Sequence, residues 1–115
     1  MILQNGDTVL ISNRRLFEQD AARFFVGRTI ACEGFLMKVE GFSFVRDLSN
    51  GHVVRKQERR VKVISLASPG QIVYQLPDDI DLDNVDIKSR HGEDLLLDGP
   101  RQVMDLSERL HCGQL

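Results

Sequence analysis

The fold is decided by the stretch Phe35-Leu36-Met37-Lys38-Val39-Glu40-Gly41-Phe42-Ser43-Phe44. Before the glycine, large apolar residues recur at odd positions such as Met37 and Val39, whereas Phe42 and Phe44 occupy even positions. Side chains alternate between the two faces of a β-strand, so a strand with one buried face cannot change parity without an inserted residue. Gly41 is therefore predicted to be a bulge or a sharp bend. Glycine-kinked, bent strands are the means by which small barrels turn their corners.

Turn signals on both sides of this stretch predict further strands. Residues 47–51 end in Asn50-Gly51, which is typical of a hairpin turn. Runs rich in β-branched and aromatic residues, bounded by glycine and proline, indicate strands. The predicted strands are 8–12, 24–32, a return strand from 52 to 66, and 71–76.

One short helix is expected between the first two strands. Phe17, Ala21 and Phe24 are spaced so that they share one helical face, which predicts a helix over residues 14–22. The expected fold class is mostly β, a small and strongly bent β-barrel with one short helix.

The C-terminal part of the chain has a different composition. Pro77-Asp78-Asp79 is the best candidate boundary. Strand and turn signals after it predict an acidic β-meander over 78–115, packed on the barrel of 1–77 as one structural domain. Val85 and Ile87, followed by His91-Gly92, indicate a strand and a turn, and two more strands are expected at 93–97 and 102–106.

The charge is unevenly divided between these two parts. Residues 1–77 carry a net charge of +4 and residues 78–115 a net charge of −6 within a chain of 115 residues. Two interpretations stay open. Oppositely charged faces meet, within one chain or between copies, or the basic part binds an anion while the acidic part is solvated.

The sequence favours a cytoplasmic protein. No apolar stretch approaches the 18 or so residues of a membrane-spanning helix, and the N-terminus lacks the pattern of a secretory signal. Cys32 and Cys112 lie 80 positions apart without a CxxC pair, which fits free thiols in a reducing compartment.

No motif for catalysis, cofactor or metal is spelled out. Asp79, Asp81 and Asp83 alternate as in a calcium loop, but Asn84 replaces the required glycine and Arg90 the required glutamate. Ile80, Leu82 and Val85 are instead expected to pack inward. His111-Cys112 lacks a second closely spaced ligand pair, phosphate-binding glycine motifs are absent, and Cys32 lies in an apolar strand. We expect a protein that is not an enzyme and takes no cofactor or metal.

One sizeable basic cluster stands out in the predicted hairpin. Its members are Arg55, Lys56, Arg59, Arg60 and Lys62, with Arg46 across the hairpin. Such side chains contact phosphates in nucleic acids or other anions. Single-stranded nucleic acid is also bound by exposed aromatic residues, and the chain has six Phe, one Tyr and no Trp. Most of these Phe residues occupy positions where the pattern predicts core.

The order of the elements resembles the Sm-like family of small SH3-type β-barrels over about residues 23–77. Val39, Gly41, Phe44, Asp47 and Asn50 fall near the places of the first Sm motif, with one extra residue between Gly41 and Asp47. Gly70-Gln71 stands where the second motif has Gly followed by Asn or Asp. The resemblance implies a ring-shaped homo-oligomer and RNA contacts from Asp47, Asn50, Gly70 and Gln71. The segment Arg23–Gly27 also resembles uncharacterised bacterial proteins, which implies no function.

Together these features predict a non-catalytic module for protein interaction or assembly. Its partner is itself, as a homo-oligomer, or another protein, because the exposed strand edges of a small β-fold must be covered. The alternative is a single-stranded RNA-binding, Sm-like protein that uses the basic hairpin 55–62.

Overall fold

A computed structural model describes residues 2–13, 23–90 and 93–106, and this part of the chain is all-β. Its strands, numbered β1 to β9 in chain order, are Thr8–Asn13, Arg23–Glu33, Leu36–Arg46, Val53–Arg55, Arg60–Ser65, Gln71–Gln75, Val85–Arg90, Glu93–Asp98 and Arg101–Asp105. No helix occurs in the described residues. The segment 14–22, for which the sequence predicts a helix, lies outside them.

The strands form two antiparallel sheets. Sheet A has the order β4-β3-β2-β1-β6, and β5 also pairs with β3. Sheet B is a meander of β7, β8 and β9. β4 and β5 follow each other along the same edge of β3, so the return strand that the sequence predicts over 52–66 is interrupted at 56–59.

Sheet A curls but does not close. The described part of the fold has two apolar cores. The one on the curled face of sheet A, which we call the second core, contains the side chains of Val9, Ile11, Phe25, Met37, Val39 and Ile64. β5 supplies Ile64 and β1 supplies Val9 and Ile11, although β3 and β2 lie between these strands. The curl therefore buries side chains of distant strands on one face.

The predicted closed barrel is wrong. Closure would require a hydrogen-bonded ladder between the two outermost strands, β5 and β6, and none joins them in the described part of the chain. Apolar alternation and glycine bends predict curvature, but they do not report whether the outermost strands reach hydrogen-bonding distance. That distance depends on the accumulated twist of all the strands between them.

Sheet B covers the opposite face of sheet A. The first core lies between them and contains Leu10, Phe24, Val26, Phe42, Phe44, Val53, Leu76, Ile80, Leu82, Val85, Ile87 and Leu96. Ile80, Leu82 and Val85 are buried, which confirms the inward packing predicted for them. The acidic tail thus contributes directly to the main apolar core.

Gly41 is not the predicted bulge. The register of β2 and β3 runs without a shift through the pair Gly27–Gly41, and the irregularity lies between Thr29 and Ala31. The parity change has another cause, because each face of β3 is buried over a different part of the strand. Met37 and Val39 point into the second core, whereas Phe42 and Phe44 point into the first core.

Gly41 and Gly27 are required by close approach of the two strands. A Cβ atom on Gly41 would overlap the carbonyl oxygen of Val26, and one on Gly27 would lie 2.5 Å from the carbonyl oxygen of Glu40. Both obstacles are backbone atoms, which cannot rotate away as a flexible side chain can. The paired glycines let the backbones of β2 and β3 approach closely where the buried face of β3 changes.

We expect Gly41→Ala to lower the free energy of unfolding by about 1–3 kcal/mol, because the added methyl group forces the two strands apart. Urea unfolding followed by circular dichroism measures this. Gly70→Ala is the matched control, since a Cβ there meets no atom within 4 Å. Equal losses in the two variants would contradict the close-approach explanation.

Candidate functional site

Arg55, a member of the predicted basic cluster, holds the two sheets together. Its Nη1 atom donates hydrogen bonds to the carbonyl oxygens of Asp83 at 2.9 Å and Val85 at 3.0 Å. Its Nη2 atom donates to the carbonyl oxygen of Leu82 at 3.2 Å. The guanidinium carbon lies 4.1 Å from the centroid of the Phe42 ring, a cation–π geometry. Arg55 is thus committed to the fold and does not point to an external anion.

Arg46 and Arg59 also face the tail. Arg46 forms an ion pair and hydrogen bond with Asp94 of β8. Arg59 forms ion pairs with Asp83 at 3.0 Å and with Glu40 at 3.3 Å. The basic and acidic parts of the chain therefore meet within one molecule, which is one of the two interpretations that the charge division left open.

We expect Arg55→Lys to lower the free energy of unfolding by about 1–3 kcal/mol, although the charge is kept. A lysine ammonium lacks the planar fork that reaches three carbonyl oxygens at once. Arg60→Lys is the matched control, because Arg60 is exposed and its ion pair is with the neighbouring Glu58. Urea unfolding measures the stability of both variants. An Arg55→Lys variant as stable as the wild type would contradict the role of Arg55 in holding the two sheets together.

The other members of the basic cluster border a cleft of about 750 Å³ on the curled face of sheet A. The cleft lies beside residues 56–59, where the chain passes from β4 to β5. There the Lys56 amide donates a hydrogen bond to the carbonyl oxygen of Ser43 at 2.8 Å. At this end of sheet A, past the residues of the second core, Asn13 of β1 pairs in register with Arg23 of β2. Polar residues there replace the apolar side chains that fill the second core.

Among the described residues, four cationic side chains line this basic cleft, namely Arg23, Lys56, Arg60 and Lys62. Glu58 is the carboxylate in its lining, and it pairs with Arg60 at 2.9 Å with both side chains largely exposed. Within the described residues, neither lysine forms an ion pair. The cleft therefore carries an excess of positive charge.

Lys62 lies between this cleft and the second core. Its Nζ atom lies 4.7 Å from the centroid of the Phe25 ring, at the border of the second core. Burial lowers the pKa of Lys62 below its usual value, and the nearby charges of Arg60 and Arg23 lower it further. The charged ammonium is thus less favourable here than in the unfolded chain.

We expect Lys62→Met to raise the urea midpoint at pH 7. A lysine pKa that folding lowers means that the unfolded chain binds the proton more tightly, so stability rises as pH approaches the pKa of Lys62 from below. Removing the charge should have the same effect at neutral pH, more strongly at low salt. Lys38→Met is the matched control. Lys38 is exposed and lies on the face of sheet A opposite to Lys62, so its replacement should leave the midpoint nearly unchanged. A fall in the midpoint of Lys62→Met would contradict this explanation.

The residues that the Sm-like resemblance assigns to RNA contacts lie in two separate segments. In the turn after β3, Asp47 accepts hydrogen bonds from the amide and hydroxyl of Ser49, and these bonds lower the pKa of Asp47. Asn50 accepts a hydrogen bond from the His52 amide at 2.9 Å. Both side chains thus stabilise their own turn.

Gly70 and Gln71 lie at the start of β6. Gln71 pairs in register with Asn13, which lines the basic cleft. The side-chain oxygen of Gln71 is buried and has no hydrogen-bond partner among the described residues. Gln71 therefore lies near the cleft, whereas the side chains of Asp47 and Asn50 form hydrogen bonds within the hairpin turn.

A second surface joins the two outermost strands of sheet A. The outer edges of β5 and β6 have no strand partner within the described ranges. An apolar groove of about 480 Å³ is lined by residues from both strand ends and from the β2–β3 turn, including Leu3, Phe35, Leu66 and Val73. Phe35, which the alternation predicts to be core, is 72% exposed at this groove.

Apolar side chains also stand on the open strands themselves. Val61 and Val63 of β5 are 54% and 62% exposed, and Ile72 of β6 is 50% exposed. Alternation along β5 separates these valines from Arg60 and Lys62, which turn toward the basic cleft. One short strand thus serves two different surfaces.

Sequence reasoning missed Arg23 and Asn13 as cleft residues. Neither residue belongs to the basic cluster of the predicted hairpin, and the pairing of β1 with β2 brings them together. For Phe35, the preceding Glu33-Gly34 turn is a usable signal, because a residue at a hairpin tip lies beyond the sheet that would bury it.

The acidic residues of the tail are used within the fold. Arg101 donates hydrogen bonds to both carboxylate oxygens of Asp79 at 3.1 Å, which lowers the pKa of Asp79. Asp81 accepts hydrogen bonds from the Asp83 amide and the Asn84 side chain, each at 3.0 Å. The described residues contain no group of three or more His, Cys, Asp or Glu side chains placed to hold a metal ion.

Comparison with protein-family models gives no match, and comparisons with curated proteins and with solved structures give no significant match. The Sm-like resemblance therefore stays a prediction, apart from the closed barrel that sheet A does not form. In the described part of the chain, no helix has the length and hydropathy required to cross a membrane.

Proposed function

We propose that this protein is a non-catalytic interaction module that self-associates through the open edges of sheet A. The outer edge of β5 in one copy would pair with the outer edge of β6 in the next copy. The single observation that carries this proposal is that both edges lack a strand partner in the described residues while their strands expose Val61, Val63 and Ile72.

Strand edges supply the affinity in such a contact. An unpaired edge presents amide and carbonyl groups that form a ladder with another strand, and exposed β-branched side chains add apolar burial. β5 has six residues and β6 has five, so their lengths are well matched. The apolar groove lies at the ends of both strands, where burial of Phe35 would add to the contact.

A second copy is favoured because the two open edges belong to different strands of the same sheet. Pairing β5 with β6 between copies is a heterologous contact, which repeats until it closes a ring or forms an open filament. The charge division does not drive this contact, since Arg46, Arg55 and Arg59 already engage the tail within one chain. The cytoplasm stays the proposed location, and Cys32 is a free thiol.

We expect the protein to sediment as an oligomer whose mass exceeds the 13.1 kDa of one chain and rises with concentration. Val63→Lys should shift it toward the monomer, because a lysine on β5 places charge in the contact. Leu48→Lys is the matched control, since Leu48 is an exposed apolar residue of the β3–β4 turn.

Analytical ultracentrifugation distinguishes the outcomes. Dissociation of Val63→Lys with an intact Leu48→Lys oligomer supports the proposal. A wild-type protein that stays strictly monomeric at high concentration would overturn it, as would equal dissociation of the two variants.

A further inference from the structure

The basic cleft beside β5 is a second site, and we propose that it binds closely spaced phosphate groups of an oligophosphate chain. The ligand class is an extended polyanion such as the phosphodiester backbone of a single-stranded nucleic acid. This inference goes beyond self-association, because it concerns a different face of sheet A and a different set of side chains.

The cationic groups converge from separate parts of the chain. Arg23 stands at the start of β2, Lys56 between β4 and β5, and Arg60 and Lys62 on β5. The pairing of β3 with both β2 and β5 brings them around one cleft. A charged surface strand would present its cations in a line to solvent, whereas here they border one concave space.

The positive charge of the cleft is poorly compensated. Glu58 is exposed and, among the residues that the structure describes, pairs only with Arg60, and ion pairs of this kind contribute little to stability. Lys62, desolvated and facing Arg23 and Arg60, therefore carries its charge at a cost to the folded state. A bound anion would offset the repulsion among these cations, which is the pattern expected of a binding site.

The chemistry and size of the cleft favour several phosphates over a single small anion. Arginine binds phosphate oxygens through a two-pronged fork, and lysine binds them as a point charge. A volume of about 750 Å³ is far larger than one phosphate requires and is within the range of sites for larger ligands. Asn13, Ser43 and Gln57 add neutral polar groups to the lining.

The aromatic residues of the cleft lining are not placed to stack on nucleotide bases. Phe24 and Phe44 line the cleft, but they are 8% and 0% exposed and belong to the first core. Base stacking requires an accessible aromatic face. Recognition here is therefore of the phosphate chain, independent of base sequence.

The test measures binding of a fluorescein-labelled oligouridylate of about ten nucleotides to the full chain by anisotropy over a series of salt concentrations. With three to four cations engaged, the slope of log affinity against log salt should be about −2 to −3. Lys56→Gln combined with Lys62→Gln should make the slope shallower by about 1.4 and weaken binding about 20-fold at 0.1 M salt.

Lys38→Gln combined with Lys88→Gln is the matched control. It removes the same charge from exposed lysines outside the basic cleft. Urea unfolding of both double variants verifies that they fold. Equal loss of affinity in the two variants would overturn the proposal, because binding would then follow net charge, and so would the absence of binding to every phosphate probe at low salt.

Inorganic tripolyphosphate distinguishes the two sources of phosphate. Its displacement of the oligouridylate supports a site that recognises phosphate spacing in either ligand. Binding of tripolyphosphate without binding of the oligouridylate supports the phosphate site and assigns it to short oligophosphates. Repeating the titration with Val63→Lys separates this site from self-association, since Val63 and Lys62 lie on opposite faces of β5.

Discussion

The close approach of β2 and β3 at Gly27 and Gly41 is the constraint on which the rest of the structure depends. These two strands are the longest in the described part of the chain, and β1, β4 and β5 each pair with one of them. Because neither glycine leaves room for a Cβ atom, the strands pack backbone to backbone at this point. Before this glycine pair, side chains of β3 pack into the second core, and after it they pack into the first core against sheet B.

Burial on both faces also explains how the charges are used. Sheet B must be held on sheet A, and arginines from sheet A reach across to its acidic segments and backbone carbonyls. Arg28 adds a hydrogen bond at 2.8 Å to the carbonyl oxygen of Ile80. A basic cluster in the sequence is thus divided by the fold. Arg46, Arg55 and Arg59 fix the tail, whereas Lys56, Arg60 and Lys62 border the cleft with Arg23.

The two proposed activities follow from the short strand β5. Its unpartnered edge and its valines form the surface for a second copy, and Arg60 and Lys62 face the cleft on the other side. An assembly built through β5 and β6 would repeat one basic cleft per subunit. Repeated weak phosphate sites along one polyanion gain affinity by effective concentration, so the two surfaces support one another without sharing side chains.

The sequence by itself determined the local structure. The hairpin at Asn50-Gly51, the strand that begins at Thr8 and the inward packing of Ile80, Leu82 and Val85 all follow from turn chemistry and short-range alternation. Such patterns act over a few residues and depend little on distant parts of the chain. The sequence also located the basic residues, although it could not assign each of them a role.

Only the tertiary structure decided which face each residue serves. The alternation around Gly41 predicts one buried face with an inserted residue, but each face of β3 is buried over a different part of the strand, in a different core. Whether β5 meets β6 depends on the accumulated curl of sheet A, and whether an arginine faces solvent or the tail depends on where sheet B packs. Arg23 joins the cleft through strand register. Each of these outcomes is set by contacts between residues far apart in the chain, and no local pattern encodes them.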